Sequence, residues 1–201
     1  NPNSAVIVKR SGAARTHRAI RFVYPVALGA ENGAQISRRL GRSDVTYKEK
    51  QDRSIVRGGD TLPTPPVVVG FGPAGMFAAL VLARQGLRPL VLERGADVDT
   101  RVAQVNAFWT TGALHPDSNV QFGEGGAGTF SDGKLVTRIG DPRCGYVLEE
   151  LVAHGAPAEI RWQAKPHVGT DRLRKVVKSI RKEIIALGGE IRFLTPLTGL
   201  T

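Results

Sequence analysis

The stretch from Pro66 to Gly95 restricts the fold of this chain more than any other part of it. It reads PVVVGFGPAGMFAALVLARQGLRPLVLERG. An apolar run, Val67–Val69, leads into glycines with G-x-G-x-x-G spacing and then into an Ala- and Leu-rich segment. Gly86 ends that segment, and a second apolar run stops at Glu93. This order predicts strand, tight turn, helix, turn and strand, which is a βαβ unit.

Each glycine of the motif has a physical role in that unit. Gly70 lets the chain turn sharply off the strand. Gly72 lacks a Cβ, so a pyrophosphate can approach the backbone where unpaired amides and the helix dipole meet its charge. Gly75 lets helix and strand pack closely. The small residues expected to keep the helix thin on its sheet side are Ala78, Ala79 and Ala83, and the turn itself also contains Pro73 and Ala74.

Glu93 lies 23 positions after Gly70, at the tip of the second predicted strand. A carboxylate there can accept hydrogen bonds from the two hydroxyls of a ribose, and it would repel a 2′-phosphate. The motif in this context therefore predicts a dinucleotide site and argues against NADP as the ligand bound in it.

Composition limits the class of protein. With 41% hydrophobic and 23% charged residues, the 201-residue chain is typical of a soluble globular protein. No apolar run approaches the roughly 20 residues of a membrane helix, so we expect no membrane partner. The single cysteine, Cys144, allows no internal disulfide, which favours a cytoplasmic location. The chain starts without Met and ends in a predicted strand or turn, so we expect part of a longer protein.

The glycines and prolines from Gly58 to Pro66 predict a linker, and with it a domain boundary between residues 1–60 and 61–201. We expect the second domain to be incomplete at its C-terminal end. Residues 1–60 hold 12 Lys/Arg and 5 Asp/Glu, so the basic excess belongs to the first domain. A solvated, positively charged region is favoured over a nucleic-acid surface there. The elements predicted in this domain are strands at Ala5–Lys9 and Ile20–Leu28, a turn at Arg10–Arg18 and a short helix at Ala34–Leu40.

Beyond Glu93 the pattern predicts alternating helices and strands. The elements are helices at Val98–Trp109 and Arg143–His154, a short strand at Ile160–Gln163, a helix capped by Thr170 and stopped by Gly188, and a parallel strand at Glu190–Leu194. The histidines His17, His115, His154 and His167 show no metal-ligand spacing with Cys144, so we predict no metal site. Among the histidines, His167 is the one that we single out as a candidate functional residue. The favoured interpretation is that it orders its loop.

A second glycine-rich stretch, NVQFGEGGAGTFSDGKL, runs from Asn119 to Leu135. It repeats the G-x-G-x-x-G spacing but lacks a following helix, and it matches G-x-x-x-x-G-K but has Leu135 where a P-loop needs Ser or Thr. We interpret it as a loop whose amides lie against a flat or anionic ligand. The residues expected to contribute are Gly125, Gly126, Gly128, Thr129, Ser131, Asp132 and Lys134.

Four motifs together resemble one family. They are FW-x-x-G-x-L at Phe108–Leu114, SNVQFGEGGAGTFSDGKL at Ser118–Leu135, GAP-x-EI at Gly155–Ile160 and KPH-x-GTD at Lys165–Asp171. With the first glycine motif, they are similar to the bacterial FAD-dependent, NAD(FAD)-utilising dehydrogenases of the glutathione-reductase-like, two-dinucleotide-binding class. The match is looser over residues 1–65, where KRSGAAR has Ala13 at a position that we expect to be acidic.

The resemblance implies an α/β fold, with a Rossmann-like FAD-binding βαβ domain and parallel sheet preceded by a small α+β domain. It implies an FAD-dependent oxidoreductase with NAD(P)H as a candidate electron donor, and by class analogy it places Arg94 or Arg101 at the adenosine or pyrophosphate end. It names neither substrate nor catalytic residues. Three alternatives stay open: an NAD(H)-dependent dehydrogenase, a flavoprotein that acts on RNA through its basic first domain, and a module that binds a nucleotide without catalysis.

Overall fold

The computed structural model describes residues 5–13, 21–49, 55, 58–59, 61–137 and 139–200. The chain divides into two compact units. The first comprises Asn1–Gly59 with Arg161–Ala164, and the second comprises Asp60–Ile160 with Lys165–Thr201.

The first unit is built from two short antiparallel ribbons and one helix. Strand β1 (Ala5–Ile7) pairs with β4 (Val26–Leu28), and β2 (Ser11–Ala13) pairs with β3 (Arg21–Val23). Helix α1 spans Gly33–Leu40 and ends at Gly41, whose φ of 55° lies in the left-handed region that suits a helix C-terminus. The order of elements is mixed α and β, and every residue of this unit whose burial is described is exposed or half-buried.

Two predictions in the first unit need correction. The strand predicted at Ile20–Leu28 is interrupted after Val23, because Pro25 has no N–H to donate to a ladder. The turn predicted at Arg10–Arg18 instead begins with strand β2, and residues 14–18 lie outside the described part of the chain. The helix predicted at Ala34–Leu40 is confirmed, with one more residue at its start.

The second unit contains a three-stranded parallel sheet flanked by helices. Strands β5 (Val67–Val69), β6 (Leu90–Leu92) and β7 (Glu190–Arg192) lie in that order, and helix α2 (Pro73–Arg84) connects the first two. The remaining helices are α3 (Val98–Thr111), α4 (Arg143–Ala153) and α5 (Thr170–Ala186), with short 3-10 turns at Ala127–Phe130 and Ala158–Arg161. This parallel α/β arrangement is the predicted one, and it is compatible with a Rossmann-like fold.

The core of the second unit forms where α2 and α5 pack against each other and the sheet. Leu80 and Ala79 of α2, Val91 of β6, and Ile180 and Ile184 of α5 are all fully buried. These positions follow the 3.6-residue period on each helix, so the apolar stripe predicted from the sequence is the one that packs. Ala78, expected on the sheet side of α2, is exposed instead, because Ala79 and Ala83 occupy the buried face.

A polar cluster links three helices beside this core. The guanidinium of Arg84 donates to Glu150 at 2.6 Å and to Glu183 at 2.7 Å, and these two carboxylates raise the pKa of Arg84. His154 lies 2.8 Å from the Glu183 carboxylate through its Nε2. The cluster joins α2, α4 and α5, so it helps to hold the helices that support the sheet.

Two helix and strand predictions in this unit also change. The strand predicted at Ile160–Gln163 is wrong, because Pro157 begins a 3-10 turn in which its carbonyl accepts from the amide of Ile160 at 3.2 Å. Gly169, not Thr170, is the N-cap of α5, since Thr170 uses its hydroxyl to donate to the carbonyl of Ser131 at 2.6 Å. The parallel strand predicted after α5 is confirmed as β7, which is shorter than expected.

Candidate functional site

The first glycine turn connects the end of β5 to the start of α2. The amide of Gly70 donates to the carbonyl of Leu92 at 2.7 Å, so the ladder continues one residue past β5 before the chain turns. Gly70 then adopts a φ of 90°, which disfavours any residue with a Cβ. The turn predicted from the sequence is therefore present, and it delivers Gly72 to the N-cap position of α2.

The N-terminus of α2 has the features of an anion site. Gly72 provides no side chain to cap the helix, and the first turn carries no acidic residue. Pro73 occupies the first helical position, so the amides of Ala74 and Gly75 are the ones without an intrahelical acceptor. Such a helix start attracts a phosphate group through these amides and the helix dipole.

Gly75 brings the helix against the strand, as its spacing predicted. A Cβ added to Gly75 would overlap the carbonyl oxygen of Gly70 and lie 3.0 Å from its carbonyl carbon and 3.3 Å from Val68. This close approach of Gly75 to Gly70 holds the N-terminus of α2 against the end of β5.

Glu93 follows β6 and lies next to the turn. Its two carboxylate oxygens accept from the amide of Phe71 at 2.6 Å and from the amide of Gly95 at 2.8 Å. Glu93 is 4% exposed, so little of its carboxylate is open to solvent. The carboxylate thus has a structural role in shaping the turn, besides the ligand role that its position predicted.

The second glycine-rich stretch packs directly on the first turn. The amide of Gly125 donates to the carbonyl of Phe71 at 2.8 Å. A Cβ added to Gly126 would lie 3.1 Å from Pro73 and 3.4 Å from the Cα of Gly72, so the two backbones are neighbours. Two distant glycine-rich segments therefore meet at the N-terminus of α2, and this is the arrangement that their composition alone did not reveal.

Arg101 of α3 holds this second loop in shape. The residue is fully buried, and burial lowers the pKa of its guanidinium to about 10. Its hydrogen-bond acceptors are the carbonyls of Asn119, Val120, Glu124 and Gly126 and the hydroxyl of Thr129. The class analogy names Arg94 or Arg101 for the adenosine or pyrophosphate end, and that assignment stays a prediction. In the structure the donors of Arg101 are directed at the loop backbone and at Thr129.

The contacts of Arg101 also orient the loop amides. A peptide N–H points opposite to the C=O of the same peptide. The carbonyl of Gly126 faces the guanidinium, so the amide of the following residue, Ala127, points away from it. Arg101 thus gathers several carbonyls of the loop on one side, and the amide of Ala127 is directed to the other side.

Arg94 and the far end of the second loop are placed differently. Arg94 is exposed, pairs with Asp117 at 2.9 Å and lies 4.1 Å from the centre of the Phe122 ring. Gly128 is half-buried, and no described atom lies within 4 Å of where a Cβ would be added.

Ser131, Asp132 and Lys134 form the exposed end of the loop. Lys134 pairs with Asp132 at 2.6 Å, which lowers the pKa of that carboxyl. The adjacent backbone continues alongside residues 166–168, with the amide of Leu135 donating to Pro166 at 2.9 Å. These three residues are thus tied to the segment that leads into α5, which includes the exposed His167.

Glu124 is a site residue that the sequence analysis did not single out. It is fully buried, accepts from the amide of Val98 at 2.7 Å and lies 3.2 Å from Arg181. Burial raises the pKa of this carboxyl. An acidic residue inside a glycine-rich run is the sequence feature that could have identified this position. Glu124 anchors the loop to the start of α3. Likewise, the side chain of Asp97 caps α3 by accepting from the amides of Asp99 and Thr100.

The described ranges contain no group of three or more His, Cys, Asp or Glu side chains arranged to hold a metal ion. They also contain no helix that combines the length and the apolar character needed to cross a bilayer.

Comparison with known proteins identifies a relative whose function is not described. No protein-family model matches the chain. A protein of Clostridium beijerinckii described as an uncharacterized protein is 51% identical over 196 residues, which are 97% of this chain. The chain spans only 37% of that relative's length.

Proposed function

We propose that this chain forms the adenine-dinucleotide-binding part of an FAD-dependent oxidoreductase. One observation carries the proposal: the second glycine loop packs on the first glycine turn at the N-terminus of α2, next to the carboxylate of Glu93. A pyrophosphate and its ribose require a helix start without a capping side chain, glycine backbone that leaves room for the phosphates, and a neighbouring acid. All three features occur together here.

The residues fit the adenosine diphosphate half of FAD. A Cβ at Gly72 would meet only the Cα of Gly126, at 3.9 Å, so the backbone there leaves room beside the helix start. In the proposal the amides of Ala74 and Gly75 bind the pyrophosphate, and Glu93 accepts from the ribose hydroxyls with the lone pairs that Phe71 and Gly95 leave free. Arg101 keeps the opposing loop in the shape that lines the same space.

Bound FAD would supply hydride or electron transfer through its flavin, with NAD(P)H as a candidate electron donor. The residues proposed on the flavin side, including Ser131, Asp132 and Lys134, contribute polar groups at the other end of the loop. In this proposal the substrate site would be supplied by the remainder of a longer protein.

A ligand series tests the proposal. The chain is titrated with FAD, ADP, FMN and 2′,5′-ADP by isothermal calorimetry. We expect FAD and ADP to compete for one site and FMN, which lacks the adenosine half, to bind far more weakly. The 2′-phosphate of 2′,5′-ADP should weaken binding because it meets Glu93. Binding of FMN as tight as that of FAD, with no competition from ADP, would refute the site.

A matched variant separates ligand binding from folding. Gly72 has φ −73° and ψ −176°, which alanine adopts freely, and its surroundings accommodate a methyl group. Gly72→Ala should therefore keep the wild-type thermal unfolding temperature and weaken FAD binding by about tenfold or more, since the methyl group occupies the space of the pyrophosphate. Unchanged FAD affinity in a folded Gly72→Ala variant would contradict the placement.

The NAD(H)-dependent alternative uses the same half of the ligand, so the geometry supports it equally at the glycine turn. Titration with NAD⁺ in parallel with FAD separates the two, because each has its own second half. A protein that binds NAD⁺ tightly and releases no flavin when purified as the full-length polypeptide would have the same adenosine site and a different cofactor.

A second candidate function concerns the first unit, where basic and aromatic side chains are exposed together. Phe22 and Tyr24 are 62% and 45% exposed with ring centres 6.4 Å apart, and Arg10 lies 5.5 Å from the Phe22 ring centre. Exposed rings beside cations can stack on single-stranded RNA. Salt-dependent binding of a single-stranded RNA that is lost on deleting residues 1–60 would support this function, and no binding at low salt would remove it.

A further inference from the structure

His154, at the C-cap of α4, is a buried titratable residue that the candidate site does not use. Its side chain is 4% exposed, and both of its ring nitrogens have partners. Nδ1 lies 2.8 Å from the backbone carbonyl oxygen of Glu150, and Nε2 lies 2.8 Å from a carboxylate oxygen of Glu183. The ring therefore joins α4, which carries Glu150, to α5, which carries Glu183. These two contacts together form the His154 clasp.

Both partners of the ring are hydrogen-bond acceptors. A backbone carbonyl can only accept. The other carboxylate oxygen of Glu183 accepts from Arg84 at 2.7 Å, and Arg84 holds the pKa of Glu183 below its ordinary value. Glu183 is therefore ionised at neutral pH and can only accept as well. A neutral imidazole has one N–H and one lone pair, so either neutral tautomer would direct a lone pair at an acceptor oxygen 2.8 Å away.

The charges around the ring favour the same protonation state. They come from three helices and belong to Arg84 of α2, Glu150 of α4 and Glu183 of α5. Tyr146 of α4 lies beside them, and burial raises the pKa of its phenol, which adds no charge. With a neutral imidazole, one guanidinium would face two carboxylates, and an unbalanced charge is costly where groups are buried. An imidazolium supplies the second positive charge and leaves the cluster neutral.

We propose that His154 is an imidazolium at neutral pH, that it clasps α4 to α5, and that this clasp opens when the ring loses its proton. Opening follows because the neutral ring can satisfy only one of its two acceptors, and the burial of the ring keeps water from satisfying the other. At low pH the clasp is lost from its other side, since protonation of Glu183 removes the charge that the imidazolium faces. The clasp is therefore closed between the acidic titration of Glu183 and the alkaline deprotonation of the ring.

The clasp lies at the far ends of the two helices that carry the candidate site. Arg84 is the last residue of α2, whose first turn forms the proposed anion site. Glu183 lies near the C-terminal end of α5, whose Thr170 donates to the carbonyl of Ser131 in the second glycine loop. The protonation of His154 thus sets how firmly α4 holds the helices that support the site, without titration of any residue in the site. The inference stands whichever cofactor binds.

Nitrogen NMR of the 201-residue chain, labelled at histidine, tests the protonation state. At pH 7 we expect both ring nitrogens of His154 to show the chemical shifts of protonated nitrogens, and the signals are assigned by their absence from His154→Gln. His115 provides the reference for a neutral ring, because it is exposed and its Nδ1 accepts from the amide of Ser118 at 3.1 Å. An unprotonated nitrogen on His154 at pH 7 would overturn the proposal.

Glu183→Gln is the matched variant, because glutamine has the shape of glutamate and its amide nitrogen can donate to Nε2 of the ring. In this variant His154 should be neutral at pH 7, with its proton on Nδ1 facing the carbonyl of Glu150. Two protonated ring nitrogens in Glu183→Gln would show that Glu183 does not hold the proton, and the clasp would be wrong.

Hydrogen exchange measures the opening itself. After correction for the intrinsic rate, the amide of Leu151 in α4 should exchange on the order of 10-fold faster at pH 9 than at pH 7 in the wild type. In Glu183→Gln the corrected rates at the two pH values should be equal, since the ring is already neutral. The amide of Val91, in the central strand of the sheet, is the internal control and should show no such change. Equal corrected rates for Leu151 in the wild type would overturn the proposal.

Discussion

The third glycine of the first motif, Gly75, provides the sharpest test of how the sequence specifies the fold. In Gly75→Ala the new methyl group would overlap the Gly70 carbonyl oxygen and approach its carbon to 3.0 Å. Both partners are backbone atoms, so no rotamer change relieves the overlap, and the start of α2 must move away from β5 by about 1 Å. A gap of that size removes about a quarter to a half of the van der Waals attraction of each contact that it opens.

The magnitude follows from what α2 buries near its start. Met76, Ala79 and Leu80 are 0 to 3% exposed and depend on the present helix position. Overpacking of this kind costs typically 1 to 3 kcal/mol, and a backbone clash belongs at the upper end, so we expect a loss of about 3 kcal/mol. With an m-value of about 2 kcal/mol/M, the urea midpoint should fall by about 1.5 M. Circular dichroism at 222 nm follows this transition, because most of the helix belongs to the second unit.

The matched control is Gly128→Ala, which changes the third glycine of the second G-x-G-x-x-G pattern. No described atom lies within 4 Å of a Cβ added there, and Gly128 is not among the glycines with positive φ. Its midpoint should be unchanged or slightly higher, since alanine restricts the unfolded chain. If Gly75→Ala unfolds at the same urea concentration as Gly128→Ala, the close approach of helix and strand is not what makes glycine necessary.

Two further predictions concern buried charge. Arg101→Lys should lose about 3 kcal/mol or more of stability, because the three donors of lysine cannot replace the guanidinium and several buried carbonyls lose their partners. The control, Arg143→Lys at an exposed ion pair, should unfold like the wild type. A wild-type urea midpoint for Arg101→Lys would contradict the role of Arg101 in holding the loop. The Arg84 guanidinium, and then His154, hold the pKa of Glu183 below its ordinary value of 4.5. Its contribution to stability is therefore present above about pH 4.5 and is lost as the pH falls through the lowered pKa. The stability difference between wild type and Glu183→Gln should shrink between pH 5 and pH 3 in thermal unfolding, and a constant difference would show that the carboxylate charge contributes nothing.

Much of the local structure follows from short-range patterns that the sequence displays directly. The βαβ unit was predictable because a valine run, a glycine turn and an Ala- and Leu-rich segment each restrict the backbone locally. The buried face of α5 was predictable from its 3.6-residue apolar period, and Gly75 from its motif spacing. Two of the errors, at Pro25 and at Ile160, fall where a single proline changes the backbone hydrogen bonding against the surrounding propensity.

The candidate site divides in the same way. The glycine turn, the helix start and the acid after β6 could be predicted from the sequence alone, because they depend on local geometry and on a spacing that a βαβ unit enforces. The tertiary structure was needed to show that Gly126 packs on Gly72 and that the buried Arg101 donates to the second loop. Those contacts join residues distant in the chain, and the burial of a charged group depends on how many carbonyls the complete fold brings within its reach.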